Sequence, residues 1–249
     1  MKQENMSILT NDQIALNTFQ MVLKHAEISQ TAIPGQFLHI AVTGHMLRRP
    51  ISIASVNQER NTVTIVYKVV GSGTKQLSTY RPGMLLNVLG PNGNGFTMKD
   101  NISTALLIGG GVGVPPLHFL GEQLKAKGHR VISILGFQSA DDLFYEEAFQ
   151  QFGETIIVTN DGTAGNKGLV TDVIDQVETF DTYYTCGPLP MLQAVTQKLA
   201  HKPGFISLEE RMGCGVGACF ACVLPTRQYD GYKKICQDGP VFAVEEVQI

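Results

Sequence analysis

Four of the five cysteines fall late in the chain, Cys214, Cys219, Cys222 and Cys236, with the spacing C-x4-C-x2-C-x13-C. Three thiolates on one short loop must aim at one small core, so the backbone has to curl around it. Gly213, Gly215 and Gly217 supply residues that tolerate φ > 0 and let N–H groups approach sulfur. Cys236 closes the set from a separate segment. This is the spacing of four thiolates on a 2Fe-2S cluster. Two other uses of four thiols stand beside it. Zinc ordinarily takes its cysteines as two knuckles, whereas the fourth here stands alone. Two disulfides would need an oxidising compartment, and residues 1–10 lack the basic segment and apolar run of a secretory signal. The expectation is therefore a cytoplasmic protein with reduced thiols that bind metal.

Three further stretches carry groups suited to phosphates and rings. Arg49, Pro50, Ile51 and Ser52 follow one another on an extended run. A guanidinium that can fork a phosphate and a hydroxyl that can bond a ring then lie roughly 10 Å apart. Gly71, Gly73 and Thr74 open a short helix predicted over 74–80, whose free N–H groups could hold pyrophosphate; a plain glycine turn with Thr74 as N-cap fits equally. Together these two places suggest a dinucleotide with a flavin ring at one end. The third stretch is Gly109, Gly110, Gly111 and Gly113 with Pro115 and Pro116, directly after the apolar run 104–108. Strand, glycine turn and helix in that order are the setting of a pyrophosphate site, although Pro116 occupies the third place of G-x-G-x-x-G. Residues 136–142 carry Asp141 and Asp142 and no Arg or Lys, which favours NAD over NADP; Asp142 as a helix cap is the plain alternative. Cys186 stands at another strand end, where it is either a small buried hydrophobe or a neighbour of the cleft.

The elements that must position these groups fall into two kinds. Short β-prone runs at 18–23, 36–42, 51–56 and 62–70 fill the first part, and Val63, Ile65, Tyr67 and Val69 alternate as a half-buried strand does. After a turn near 91–95, strands at 104–108, 131–137, 155–159 and 182–185 alternate with helices predicted from 115–128 and over 143–152, 169–177 and 190–201. The fold class is two-domain α+β: an N-terminal antiparallel β-barrel at 1–98, an α/β parallel-sheet nucleotide-binding domain at 99–204, and a small C-terminal 2Fe-2S segment at 205–249.

Composition removes other classes. The net charge of -3, without a dense basic run, argues against nucleic acid and anionic membrane as partners. The most apolar stretch, 104–120, is broken by glycines and prolines, so no membrane span is expected. Met212 and Phe220 are candidates for an apolar partner face near the cluster, ordinary core packing being the alternative.

Arg49-Pro50-Ile51-Ser52, Gly73-Thr74, the 109–116 loop, Asn160-Asp161-Gly162 with Lys167-Gly168, and Cys186-Gly187-Pro188 occur in the order of the ferredoxin reductase superfamily. With the cysteine segment added, nearly the whole chain resembles the electron-transfer subunits of dihydroorotate dehydrogenase B. The resemblance implies FAD, a 2Fe-2S cluster and NAD as cofactors, and an FMN-containing dihydroorotate dehydrogenase catalytic subunit as partner in a heterotetramer of two of each. It implies that Arg49 meets the FAD pyrophosphate, that Pro50, Ile51 and Ser52 meet the isoalloxazine, that the strand Val66-Tyr67-Lys68 lies against the cofactor, and that Gly73-Thr74 is its phosphate turn. Gly110, Gly111, Gly113 and Pro116 are then the NAD loop, and Cys186 the cysteine that approaches nicotinamide. Ile51 departs from the wider superfamily, where an aromatic often stacks on flavin. The implied task is to carry electrons from dihydroorotate oxidation to NAD+ in pyrimidine biosynthesis. Two alternatives are a reductase subunit of another complex, of hydrogenase or ferredoxin-bifurcating type, and a non-catalytic zinc or flavin assembly subunit. Some relatives serving other complexes replace the first cluster cysteine by an acid, so Cys214 leans towards the dihydroorotate partner.

Overall fold

A computed structural model describes the protein at residues 2–99, 101–227 and 231–249. The first part forms β1 (Lys2–Ala15), β2 (Thr18–Lys24), α1 (Ala26–Thr31), β3 (Phe37–Ile40), β4 (Arg49–Asn57), β5 (Thr62–Lys68), α2 (Ser72–Ser78) and β6 (Leu85–Asn92). Its strands close a six-stranded antiparallel barrel in the order β1-β2-β5-β4-β3-β6. Alternation decides what lines it. Leu38 and Ile40 of β3 and Val63, Ile65 and Tyr67 of β5 point into the barrel core, each worth about 1.5–3 kcal/mol when fully buried. Phe37 and His39 consequently face outward, on the same face as their β4 partners Ser52 and Pro50.

The second part comprises β7 (Thr104–Gly110), α3 (Val114–Ala126), β8 (Arg130–Phe137), α4 (Glu146–Gln150), β9 (Gly153–Thr159), β10 (Asn166–Lys167), β11 (Thr182–Cys186), α5 (Leu189–Lys198) and β12 (Gly204–Ser207). Beyond it come β13 (Val223–Pro225), β14 (Tyr232–Lys234), α6 (Ile235–Asp238) and β15 (Val241–Ala243). The sheet order is β10-β9-β8-β7-β11-β12-β15, parallel except for β15, which runs antiparallel to β12. The chain winds outward in both directions from β7, so the crevice between the ends of β7 and β11 is the switch point where α/β sheets bind ligands.

Two expected helices come out differently. Over 169–177 the chain makes 3-10 turns, Val170–Asp172 and Ile174–Gln176. Five of its residues are β-branched, and the Asp172 carboxylate accepts the Leu169 N–H at 2.8 Å, a local bond that competes with helix. The helix expected over 143–152 shortens to Glu146–Gln150, because Tyr145 sits in the left-handed region at φ 65. Its hydroxyl donates to Gln20 Oε1 of the barrel at 2.6 Å. With Lys68–Asp142 at 2.7 Å, and His118 Nδ1 3.1 Å from the Ala54 carbonyl oxygen, this contact seats the sheet on the barrel. Among the described residues no helix is long and apolar enough to cross a membrane.

Candidate functional site

The loop after β12 carries Cys214, Cys219 and Cys222, and Cys236 arrives on α6. The thiols are free and meet as two hydrogen-bonding pairs, Cys214 with Cys219 and Cys222 with Cys236, with Cys236 also within electrostatic reach of Cys214. Two pairs are what two irons require of four thiolates. Among the described residues no group of three or more His, Cys, Asp or Glu is placed to hold a single metal ion. Backbone donors face the sulfurs: Val216 and Cys219 N–H reach Cys214 Sγ at 3.4 Å, and Gly217 N–H reaches Cys236 Sγ at 3.2 Å. Burial resists ionisation of Cys214, but these donors and the Cys219 thiol outweigh it and bring its pKa down to about 6. Burial and then the Cys222 thiol push Cys236 up to about 12. The curl uses φ of 70° at Gly215 and 78° at Gly217; Gly213 does not adopt positive φ and instead lies against the Cys219 sulfur. Lys234 Nζ fastens the loop by donating to the Gly217 carbonyl at 2.5 Å. Paired thiols, convergent N–H groups and a curled backbone fit a 2Fe-2S cluster.

On the barrel, the Arg49 guanidinium lies across Gly73, where any Cβ would overlap it. The two stretches expected to share a phosphate are thus brought together. Thr74 is not the N-cap. Gly71 is, and the Thr74 hydroxyl accepts from the N–H groups of Val70 at 3.0 Å and Gly71 at 3.3 Å, fixing the turn. Pro50 and Ser52 line a cleft of about 290 Å³ that runs to residues 207–212 of the cluster arm. Ile51 packs toward the barrel core, so its side chain is turned away from that cleft. The three residues expected along the cofactor diverge: Val66 packs at the junction of barrel and sheet, Tyr67 is buried in the barrel with its hydroxyl donating to Asn11 at 2.8 Å, and Lys68 reaches the larger cleft.

That larger cleft, about 640 Å³, sits at the switch point and is lined by Gly110, Gly111, Gly113, Gly187 and Pro188, among others. Gly113 is forced by packing, since a Cβ would overlap the Cys186 carbonyl. Pro116 is buried in the first turn of α3 and is not among the residues lining the cleft. Asp142 neither caps a helix nor stands free for a ribose; it pairs with Lys68 and accepts the Ser139 hydroxyl at 3.0 Å. Cys186 ends β11 with no exposed surface, its thiol pushed well above the ordinary range by burial and secondarily by Glu209.

Three residues carry more than their sequence signal suggested. Glu209 is exposed and borders both clefts, where partial desolvation by the cleft walls raises its carboxyl above the ordinary range. Phe37 forms a wall of the smaller cleft. His39 has no exposed surface and neither ring nitrogen has a hydrogen-bond partner. Burial first, then the nearby Arg48 guanidinium, brings its pKa down to about 4. A histidine in an alternating strand gave no signal beyond burial. Met212 is buried at 4% exposure, because it packs with Cys222, Cys236 and Leu208, whereas Phe220 is 64% exposed.

Residues 6–96 match the family described as the oxidoreductase FAD-binding domain, and residues 209–248 the iron-sulfur cluster binding domain of dihydroorotate dehydrogenase B. Proteins of Bacillus cereus and Bacillus anthracis named dihydroorotate dehydrogenase B (NAD(+)), electron transfer subunit, are 50% identical over 256 residues, covering 99% of each chain. Among solved structures, an NADH-dependent reduced ferredoxin-NADP oxidoreductase superposes with a TM-score of 0.90 at 31% identity, over 98% of this chain and 89% of that one. A ferredoxin NADP+ reductase from Neisseria gonorrhoeae, solved with FAD and NADP, shares the fold with a TM-score of 0.68 at 14% identity, over 81% and 92% of the two chains.

Proposed function

This chain belongs to the family of dihydroorotate dehydrogenase B electron transfer subunits, and from that premise we propose that it serves an FMN-containing, dihydroorotate-oxidising partner, two copies of each forming the working assembly in the cytoplasm. It is an oxidoreductase component with FAD-binding and iron-sulfur domains that works with NAD+. When bound, the flavin supplies exchange between hydride and single electrons, and the cluster supplies one-electron transfer. The residues of this chain hold and orient those groups. Arg49 with the Gly73 turn takes the flavin pyrophosphate, Pro50 and Ser52 border its ring, and the loop at Gly110–Gly113 admits the nicotinamide nucleotide at the switch point. The pair Lys68–Asp142 closes the far wall, and among the described residues lining that cleft Lys68 is the one cation, already paired. Glu209 stands where the two clefts meet as the polar group facing the nicotinamide end, and Cys186 is buried packing beneath the adjoining Gly187.

The observation that carries this reading is the gathering of the four cysteines, with backbone N–H groups on Cys214 and Cys236, directly after the arm 207–212 that borders one cleft with Pro50 and Ser52. Electrons from the partner would enter across the exposed rim of the loop, where the Phe220 and Tyr232 rings lie tilted with centroids 5.4 Å apart and Val216 and Val223 are also exposed. We place the partner on that apolar rim. The test is to purify the chain with and without the partner subunit. Alone it should contain FAD, iron and acid-labile sulfide and oxidise NADH with an artificial acceptor, while dihydroorotate is consumed only after the partner is added. Dihydroorotate turnover by the chain alone, or absence of acid-labile sulfide, would refute it.

A further inference from the structure

His39 lies between the two redox sites and touches the backbone of one. It sits on the outer face of β3 opposite Pro50, with the Phe37 ring edge-on at 6.5 Å; Pro50 and Phe37 are both walls of the flavin-side cleft. On its other side the imidazole rests against Gly215, the residue after the cluster ligand Cys214, so closely that a Cβ there would overlap Nδ1. Gly215 is therefore required twice, by its φ of 70° and by the ring. A neutral imidazole always carries one N–H, and a buried N–H without an acceptor costs about 1–3 kcal/mol. Neither ring nitrogen makes a well-formed hydrogen bond among the described residues, and the Arg48 backbone is the one weak protein partner near the ring. The acceptor that the fold brings next to Gly215 is the sulfur of the metal centre itself.

We propose that His39 is a positioning residue for the 2Fe-2S centre, donating a ring N–H to one of its sulfurs and thereby raising its reduction potential, while its ring fills the space between that centre and the flavin cleft. A donor to sulfur stabilises the more negative, reduced state, which is how hydrogen bonds tune such clusters. The proposal rests on the reading that the loop carries this centre. Wild-type protein without iron and sulfide would end that reading, whereas an intact centre of unmoved potential would end only this one.

The test is an EPR-monitored redox titration of the FAD- and cluster-loaded chain in complex with its partner. His39→Leu should lower the potential so that, at fixed solution potential, the ratio of reduced to oxidised cluster falls about tenfold, which is about 59 mV for one electron. His39→Gln, which keeps an N–H donor, should restore most of it. A shift of the flavin potential alone, or of neither, overturns the proposal and leaves His39 as packing. Should the leucine variant lose the cluster, pulsed EPR of the wild-type reduced centre with 15N-histidine decides. Coupling to a histidine nitrogen that disappears in His39→Gln supports the bond, and its absence from the wild type overturns it.

Discussion

Cys186 and Cys214 have the same side chain and opposite surroundings. Apolar residues such as Leu135 and Tyr184 enclose Cys186, and its thiol is held firmly protonated. Cys214 sits where glycines have let the chain curl until N–H groups point at sulfur, and its pKa comes down to about 6. The difference shows that ligand character is made by backbone direction more than by residue type. Three thiols on a curled loop are arranged as metal ligands would be, and one thiol at a packed strand end is part of the core.

The largest effect expected from breaking this contrast is at the ligands. Cys222→Ser should abolish bound iron and acid-labile sulfide, while Cys186→Ser keeps both at wild-type stoichiometry; chemical analysis and the visible spectrum check this. Next is the loop backbone. Gly215→Ala must strain φ and displace His39, so it should cost more stability and more cluster than Gly111→Ala. At Gly111 φ is 52° but a Cβ would meet nothing within 4 Å, leaving roughly 1–2 kcal/mol of strain. Thermal unfolding and iron content of the two variants rank them. At the flavin end, Arg49→Lys keeps the charge but loses the fork, and FAD affinity by fluorescence titration should fall about tenfold, or 1.4 kcal/mol.

The smallest test sharpens the idea of backbone donors holding an anion, using a carboxylate in place of a thiolate. Asp181 accepts the N–H groups of Thr104 at 2.8 Å and Ser103 at 2.6 Å, which lowers its pKa. A carboxyl lowered in the folded state stabilises the protein above its ordinary pKa and loses that contribution as pH falls through the folded value. The wild type should therefore exceed Asp181→Asn in melting temperature at neutral pH, and the gap should close in acid.

That the four late cysteines gather was legible because they are written into one spacing, and the barrel strands because alternation reports burial directly. The segment 169–177 misled because its apolar residues repeat at helical spacing while its β-branched residues and Asp172 favour tighter turns. Asp142 read as a free acid because Lys68, its partner, comes from the other half of the chain. His39 was invisible for the same reason: nothing near it in sequence announces Gly215 as its neighbour. Short strands such as β15 lack the length to show any period at all.

That late strand has a consequence for how the protein can fail. The polypeptide leaves the thiol centre through Cys236 and is sewn straight into the margin of the nucleotide-binding sheet, with Phe205, Ile206 and Ser207 of β12 paired to Ala243, Phe242 and Val241. Oxidative loss of the metal would slacken α6 and, through it, that margin. Damage at the centre would then be felt as weaker nucleotide binding in a half of the molecule that holds no iron.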